Sequence, residues 1–353
     1  VGYIVIDLTM IARNEEDTIA RALLCATDLC KRLIVVDTGS EDRTVDIANE
    51  CGAEVLLFPW NDDFSEARNY ALKQSDSKWT LTLDADEILS VDSAAFAREI
   101  ENLPEEVSVV MIPVRYRGHP MTFDSARMIR IGRGNWKGAC HEYLSAEKGS
   151  AYHLTSGEII HDKPVGKENG TERNIRILLK SYKKDPYDSR TLFYLGREYR
   201  DKCEWREAIK YYLEYLPIST YPAERHRAFL DLADCYGNIG EYRFATHYLV
   251  SLLEINPRVR EIYQKLAWLA YLKEDWDFSY LWAKTALDLP LNHDKILFEV
   301  DDLFPSYDYL SISCWNLEKY SEGEGYARKA LAANPGDVRL QKNLEYYENI
   351  RRS

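Results

Sequence analysis

Four aromatic residues, Trp205, Tyr242, Trp276 and Tyr320, leave the second half of this chain little choice of architecture, because each occupies the same place in an internal repeat. Ten positions before each stands an apolar residue (Leu195, Leu232, Leu266, Leu310), and nine before stands a small one (Gly196, Ala233, Ala267, Ser311). Three positions after each comes another small residue: Ala208, Ala245, Ser279, Gly323. The anchors are 37, 34 and 44 residues apart. A unit of this length cannot bury its apolar face alone, whereas stacked units share a continuous core and small residues let paired helices approach closely. From about Thr191 the chain is therefore expected to be a stack of helix pairs. Pro257 and Pro335 close two of the repeats, insertions fall around Pro217 and between Asp294 and Pro305, and residues 339–352 form a capping helix.

The first half has a different period. Short apolar runs alternate with helical patterns, the mark of βαβ units and a mainly parallel sheet. Strands are expected over Ile4–Met10, Leu33–Val36, Glu54–Phe58 and Trp79–Leu83, with helices near Asp17–Asp28, Thr44–Cys51, Phe64–Gln74 and Ser93–Asn102. Two further strands close in sequence, Ser108–Val114 and Arg127–Ile131, turn the pattern into a mixed sheet with an irregular end. A chain of 353 residues exceeds one ordinary core, so two domains follow, an α/β domain over 1–170 and an all-α repeat domain over 171–353.

Composition narrows the function classes. Hydrophobic residues at 46% and charged residues at 29% are globular proportions. Residues 1–170 carry 18 Lys+Arg against 29 Asp+Glu, a net of −11, while the remainder carries 27 against 29, a net of −2. Acidity thus gathers in the α/β half, where a cation could be wanted, and argues against a broadly basic nucleic-acid clamp. Arg115, Arg117, Arg127, Arg130, Arg133 and Lys137 form one basic stretch, read as arginines that neutralise the acidic site or a diphosphate in preference to a nucleic-acid contact. No run approaches the roughly 18 apolar residues of a membrane span, so a cytoplasmic protein without a transmembrane segment is expected. The seven cysteines include no CxxC pair, and reduced thiols are expected.

Three polar clusters fall at the ends of expected strands, where open α/β sheets bind ligands. They are Ala12-Arg13-Asn14-Glu15, Asp37-Thr38-Gly39-Ser40 and Asp84-Ala85-Asp86-Glu87. Ser40 or Asp42 can cap the following helix, which leaves Asp37 for a ligand. Asp84 and Asp86 flank one small residue and make a hard-oxygen site for Mn²⁺ or Mg²⁺ beside a diphosphate, the alternative being a solvated turn.

In order and at strand ends, Ile11-Ala12-Arg13-Asn14-Glu15, Asp37-Thr38-Gly39-Ser40-Glu41-Asp42-Arg43-Thr44 and Leu83-Asp84-Ala85-Asp86-Glu87 resemble glycosyltransferase family 2, over roughly residues 5–165. The resemblance implies the nucleotide-sugar-binding GT-A fold, a Rossmann-like mixed sheet. It implies that Ala12, Arg13, Asn14, Glu15, Asp37 and Gly39 hold the nucleotide of a UDP-sugar. Asp84 and Ala85 would lie near the ribose, and Asp86, the second acid of the DXD motif, would hold the metal. Trp60-Asn61-Asp62-Asp63-Phe64-Ser65-Glu66-Ala67-Arg68-Asn69 resembles a segment of the bacterial branch with a helical tail, and implies Arg68 on a helix facing the donor, or else at a solvated surface. Asn135-Trp136-Lys137-Gly138-Ala139-Cys140-His141-Glu142 resembles the Trp-x-Gly-x-x-His-Glu element of that branch. It implies Glu142 as catalytic base, with His141 orienting it or touching the metal; the family's commoner element here is a Glu-Asp pair, from which this chain departs. His161 resembles the late histidine that completes the metal shell, its other reading being structural. The helical half resembles tetratricopeptide repeats, whose helix pair is about 34 residues long.

The expected activity is an inverting, metal-dependent hexosyltransferase acting on an acceptor hydroxyl or thiol. A layout of transferase plus repeats resembles the peptide S-glycosyltransferases. Peptide, glycan and modified nucleic acid all remain as acceptors, and the repeats offer a surface for self-association or a protein partner. The alternative is a tetratricopeptide scaffold with a degenerate nucleotide-sugar domain. A nucleotidyltransferase is disfavoured because the loop after the first strand lacks glycine.

Overall fold

The computed structural model describes residues 6–118, 122–162, 170–291 and 302–352. The chain divides into two compact units, Val1–Lys184 and Asp185–Ser353. The helix after the sheet, placed with the repeats in the sequence reading, is thereby counted with the first unit.

The strands of the first unit are β1 (Ile6–Ala12), β2 (Arg32–Asp37), β3 (Glu54–Leu57), β4 (Trp79–Thr82), β5 (Glu87–Val91), β6 (Val107–Tyr116), β7 (Thr122–Arg130), β8 (Gly134–Lys137), β9 (Tyr143–Ala146), β10 (Ser150–His153) and β11 (Gly157–His161). Its helices are α1 (Ile19–Leu24), α2 (Thr44–Glu50), α3 (Phe64–Lys73), α4 (Ser93–Glu101) and α5 (Thr171–Lys184). The main sheet runs β3-β2-β1-β4-β7-β6-β11-β5, with β10 on β6, while β8 and β9 form a separate hairpin. This is the GT-A mixed sheet the sequence leads one to expect. Its core packs against β1, β2 and β4, where Ile6, Leu8, Met10, Ile34, Val36 and Leu81 are fully buried, and the alternate positions Asp7, Thr9, Thr80 and Thr82 are buried as well, as in a sheet covered on both faces.

Register decides where the site lies. β1, β2, β3 and β4 are mutually parallel, with Ala12 opposite Asp37 and Thr9 opposite Thr82. β7 is antiparallel to both β4 and β6, so β6 again runs with β1, and β11 is parallel to β6. The carboxyl ends of β1, β2, β4, β6 and β11 therefore share one edge. β5 starts from that edge, with Glu87 opposite His161 and His161 opposite Tyr116. β1 is also where strand order reverses, between β2 on one side and β4 on the other.

The second unit contains the pairs α6 (Ser189–Asp201) with α7 (Trp205–Tyr215), α8 (Pro222–Asn238) with α9 (Tyr242–Ile255), α10 (Arg260–Leu272) with α11 (Trp276–Asp288), and α12 (Phe304–Asn316) with α13 (Tyr320–Ala333), followed by α14 (Val338–Arg352). Each aromatic anchor is the first residue of the second helix in its pair. Two residues ahead of each anchor the chain turns through a left-handed residue, Cys203, Gly240, Glu274 or Glu318, with φ of 59°, 79°, 56° and 58°. The small residues sit at helix crossings: a Cβ on Gly196 would lie 2.6 Å from the Tyr212 ring, and Ala208, Ala233, Ala245 and Ala267 are fully buried. These are tetratricopeptide-like pairs, as the repeat pattern requires. Much of the insertion expected between Asp294 and Pro305 lies outside the described residues. Among the described residues no helix is long and apolar enough to cross a membrane.

Candidate active site

The three strand-end clusters converge on one edge and are laced together by their own polar atoms. Asn14, left-handed at φ 54°, receives the Glu41 N–H on Oδ1 at 2.8 Å and donates its own N–H to Ser40 Oγ at 3.0 Å. Glu15 N–H donates to Thr44 Oγ1 at 2.7 Å. The loop after β1 is thus held against the loop after β2. Asp37 is buried beneath this pairing, and its carboxylate accepts the N–H groups of Gly39 and Ser40 at 3.0 and 3.1 Å. A carboxylate at a strand end finds the nearest free amides first. Asp37, Gly39 and Asn14 consequently shape the loop from behind, while Asp42 accepts from Thr44 N at the start of α2 at 2.9 Å.

The edge opens into a cleft of about 530 Å³. Ala12 lines it from the end of β1 and Arg13 and Glu15 from the loop that follows, Asp84, Ala85 and Asp86 from the turn after β4, Arg68 from α3, His141 and Glu142 from the β8–β9 loop, and His161 from the end of β11. Ten of the thirteen residues singled out from the sequence are thereby brought together; Asn14, Asp37 and Gly39 are not on the wall.

Arg68 organises the centre. It is nine-tenths buried, not solvated, and its Nε donates to Glu142 Oε1 at 2.6 Å while Nη2 donates to Asp84 Oδ1 at 2.5 Å. Burial alone would make it easier to deprotonate, but Asp84 and Glu142 outweigh that and hold it charged. Burial likewise pushes the Asp84 carboxyl up, and Arg68, then Arg127, overcome this to hold it well below the usual carboxylate range. The guanidinium also lies 4.9 Å from the Trp136 ring centre. Its neighbour Asn69 donates to Trp136 O and accepts Trp136 N–H at 2.9 and 2.8 Å, and Phe64 N–H donates to Ala139 O at 2.9 Å. One face of α3 therefore grips the β8–β9 hairpin and sets Glu142 over the cleft. Within that loop Gly138 has φ 93° and His141, not a glycine, has φ 54°, the kind of local strain that surrounding contacts must support.

The metal-type residues come from the acidic turn after β4 and the end of β11. Asp86 Oδ2 and His161 Nε2 are 3.8 Å apart, and His161 Nδ1 is 3.6 Å from Glu87 Oε1. Glu87 raises the His161 pKa most, against the opposing effect of burial, with Asp86 adding to the rise. Among the described residues no group of three or more His, Cys, Asp or Glu is placed to hold an ion. Two adjacent donors, an oxygen and an imidazole nitrogen facing an open cleft, nonetheless fit Mn²⁺ or Mg²⁺, which draw their remaining ligands from water and phosphate.

Sequence reasoning missed several contributors. Glu87, fully buried, accepts Asp84 N–H at 2.9 Å and Arg127 Nη2 at 2.5 Å, so it fixes the acidic turn; it stood in the quoted motif but was assigned no role. Arg127 came from the basic stretch expected to neutralise the acidic site or a diphosphate, and among the described residues it is the member that pairs with the acidic turn, while three others pair with carboxylates elsewhere. Arg127 meets Glu87 and Asp84, Arg115 meets Glu158, Arg117 meets Asp162 and Arg130 meets Glu105. Arg173 and Asn174 of α5 also line the cleft, and no motif marked them.

Residues 7–160 match the family described as glycosyl transferase family 2. The SPbeta prophage-derived glycosyltransferase SunS of Bacillus subtilis is 29% identical over 216 residues, 57% of this chain and 51% of that protein. A TPR repeat-containing protein of Synechococcus elongatus is 41% identical over 107 residues, 30% of this chain and 27% of its own. The chain thus spans about half of one of these relatives and about a quarter of the other. Among solved structures, glucosyl-3-phosphoglycerate synthase from Mycobacterium tuberculosis superposes with a TM-score of 0.27 at 26% identity, covering 32% of this chain and 44% of that one. The family match runs through the strand-end motifs and through Arg68, His141, Glu142 and the acidic turn of the cleft, ends one residue before His161, and makes residues 7–160 similar to glycosyl transferase family 2.

Proposed function

We propose that the protein is an inverting, metal-dependent glycosyltransferase that moves a hexose from a UDP-sugar to an acceptor hydroxyl or thiol. One observation carries this reading: Glu142 is fixed by Arg68 in a strand-edge cleft that is also lined by the adjacent Asp86 and His161. The nucleotide would lie along Ala12, Arg13, Glu15 and Ala85, with Asp84 beside its ribose and with Asn14, Asp37 and Gly39 holding the loop in shape. Asp86 and His161 would hold Mn²⁺ or Mg²⁺, which when bound offsets charge on the diphosphate.

Glu142 is the base. Arg68 occupies Oε1, and among the described residues Oε2 accepts no hydrogen bond. That oxygen takes the proton of the acceptor O–H or S–H as the acceptor atom attacks the anomeric carbon. The bond from that carbon to the phosphate oxygen breaks on the opposite face, its electron pair leaves with the nucleoside diphosphate, and the configuration inverts. Arg68 orients Glu142 without leaving the ion pair with Asp84. His141, beside Glu142 on the loop, positions the base or adds to the cation shell.

A groove in the second unit supports a polypeptide as acceptor or partner. α8, α10 and α12 line a polar groove of about 420 Å³ that includes Arg227, Asp234, Glu261, Lys265, Trp268 and Tyr309, suited to an extended polypeptide, whether acceptor or partner. Donor hydrolysis across UDP- and GDP-sugars, with Mn²⁺ and with excess EDTA, tests the core of the proposal. Hydrolysis of a UDP-sugar that stops in EDTA and in Asp86→Ala is expected; undiminished turnover in either overturns the metal assignment, and no hydrolysis of any donor overturns the activity.

A further inference from the structure

Most cations around the cleft are already matched. Arg68 is held by Asp84 and Glu142, Arg127 by Glu87 and Asp84, and Arg117 by Asp162. Arg13 and Arg173 also line the cleft, and among the described residues neither has a carboxylate partner. An anionic ligand entering a site that already contains Glu15, Asp84, Asp86 and Glu142 needs such an unmatched cation.

Arg173 is held in place by contacts that leave its charge available. Its guanidinium carbon is 5.0 Å from the centre of the Phe64 ring, and Nε and Nη2 donate to the neutral Asn174 Oδ1 at 3.3 and 3.1 Å. Gly170 makes room for it. A Cβ at that position would stand 2.6 Å from Arg173 Nη2 and 3.0 Å from Cζ, and its φ of 67° is one that side-chain-bearing residues avoid. Arg173 also lies in the first turn of α5, where the helix dipole adds partial positive charge. On the same cleft a second donor is unmet: the buried Arg68 Nη1 has no hydrogen-bond partner.

We infer that Arg173, beyond the segment that matches the family, binds the terminal phosphate of the nucleoside diphosphate. It would hold that group in the donor and compensate its charge as it leaves. The inference rests on the nucleotide-sugar reading above and adds α5 to the site, so that the donor pocket is incomplete without the helix that follows the sheet.

Titration calorimetry on the full chain, with Mn²⁺, compares UDP with UMP and GDP with GDP's monophosphate GMP. For the pair the wild type binds, Arg173→Gln should weaken the diphosphate at least tenfold and the monophosphate less than twofold. Arg173→Lys, which keeps the charge but not the fork, should fall between. Gly170→Ala should lose affinity in the same direction, because the new methyl displaces the guanidinium. Unchanged diphosphate affinity in Arg173→Gln overturns the inference alone, as does an equal loss for diphosphate and monophosphate, which marks a merely structural role. A wild-type chain that binds neither UDP nor GDP overturns the donor class and this inference with it.

Discussion

Glu142→Gln separates chemistry from architecture more cleanly than any other substitution in the cleft. The glutamine carbonyl can still accept Arg68 Nε in the place of Oε1, and Asp84 still holds Nη2. What disappears from the structure is one charge on one hydrogen bond, about 1 kcal/mol of stability, so melting and nucleotide affinity should hardly move. What disappears from the reaction is the proton acceptor, which contributes about a hundredfold or more, or roughly 2.7 kcal/mol of barrier. Glu142→Ala is the inferior test, because it leaves Arg68 Nε without its acceptor in addition to the already unmet Nη1 and mixes in a folding cost of about 1–3 kcal/mol. The assay is the rate of UDP-sugar hydrolysis at saturating donor, with water standing for the acceptor, alongside calorimetric UDP affinity and a thermal melt. A Glu142→Gln protein with near-native turnover refutes the assignment. The base would then be sought among the other carboxylates that line the cleft, Glu15 first.

Three further outcomes concern the helical unit. Gly196→Ala pushes a methyl against the Tyr212 ring, whose hydroxyl is tied to Asp231 at 2.6 Å, so the melt should show a loss of about 1–3 kcal/mol. Glu274→Gly relieves a left-handed non-glycine residue at the turn where another repeat already uses Gly240; after the entropy glycine loses on folding, a net gain of about 0.5 kcal/mol is expected from the same measurement. Asp231 is fully buried beside Arg227 and Arg200, which outweigh its desolvation and lower its pKa. Its stabilising effect is therefore complete above the unfolded value of about 3.9 and fades as pH falls through the lower folded value; melts of Asp231→Asn should fall below wild type at pH 7 and converge on it in acid.

The regular parts of both halves were legible because they depend on local periodicity. The expected strands over Leu33–Val36 and Trp79–Leu83 and the helices from Thr44 and Phe64 appear at nearly those bounds, since runs of apolar residues and a 3.6 period both act within a few residues. The repeat was legible for the same reason: an anchor, a small residue and a turn recur at nearly constant offsets. β5, β8, β9, β10 and β11 were not foreseen. β5, β10 and β11 pair with strands far from them in the chain, and β8 and β9 pair with each other in a hairpin off the main sheet, so neither set follows from the βαβ alternation that marked the earlier strands.

The sequence alone therefore determined which residue types stand at the ends of the strands, in what order, and that helix pairs follow. It could not determine which of those residues line the cleft. Asp37 became the floor of a loop because two backbone amides lay within reach. Arg68 became the centre of the site because α3 packs against the β8–β9 hairpin. Glu87 and Arg127, forty residues apart, became one ion pair because β7 lies beside β4 in the sheet and β5 begins from the same edge. A buried charge is stable only with its partner in place, and which partner is available depends on strand register and helix packing, which bring together residues that no local stretch of chain connects.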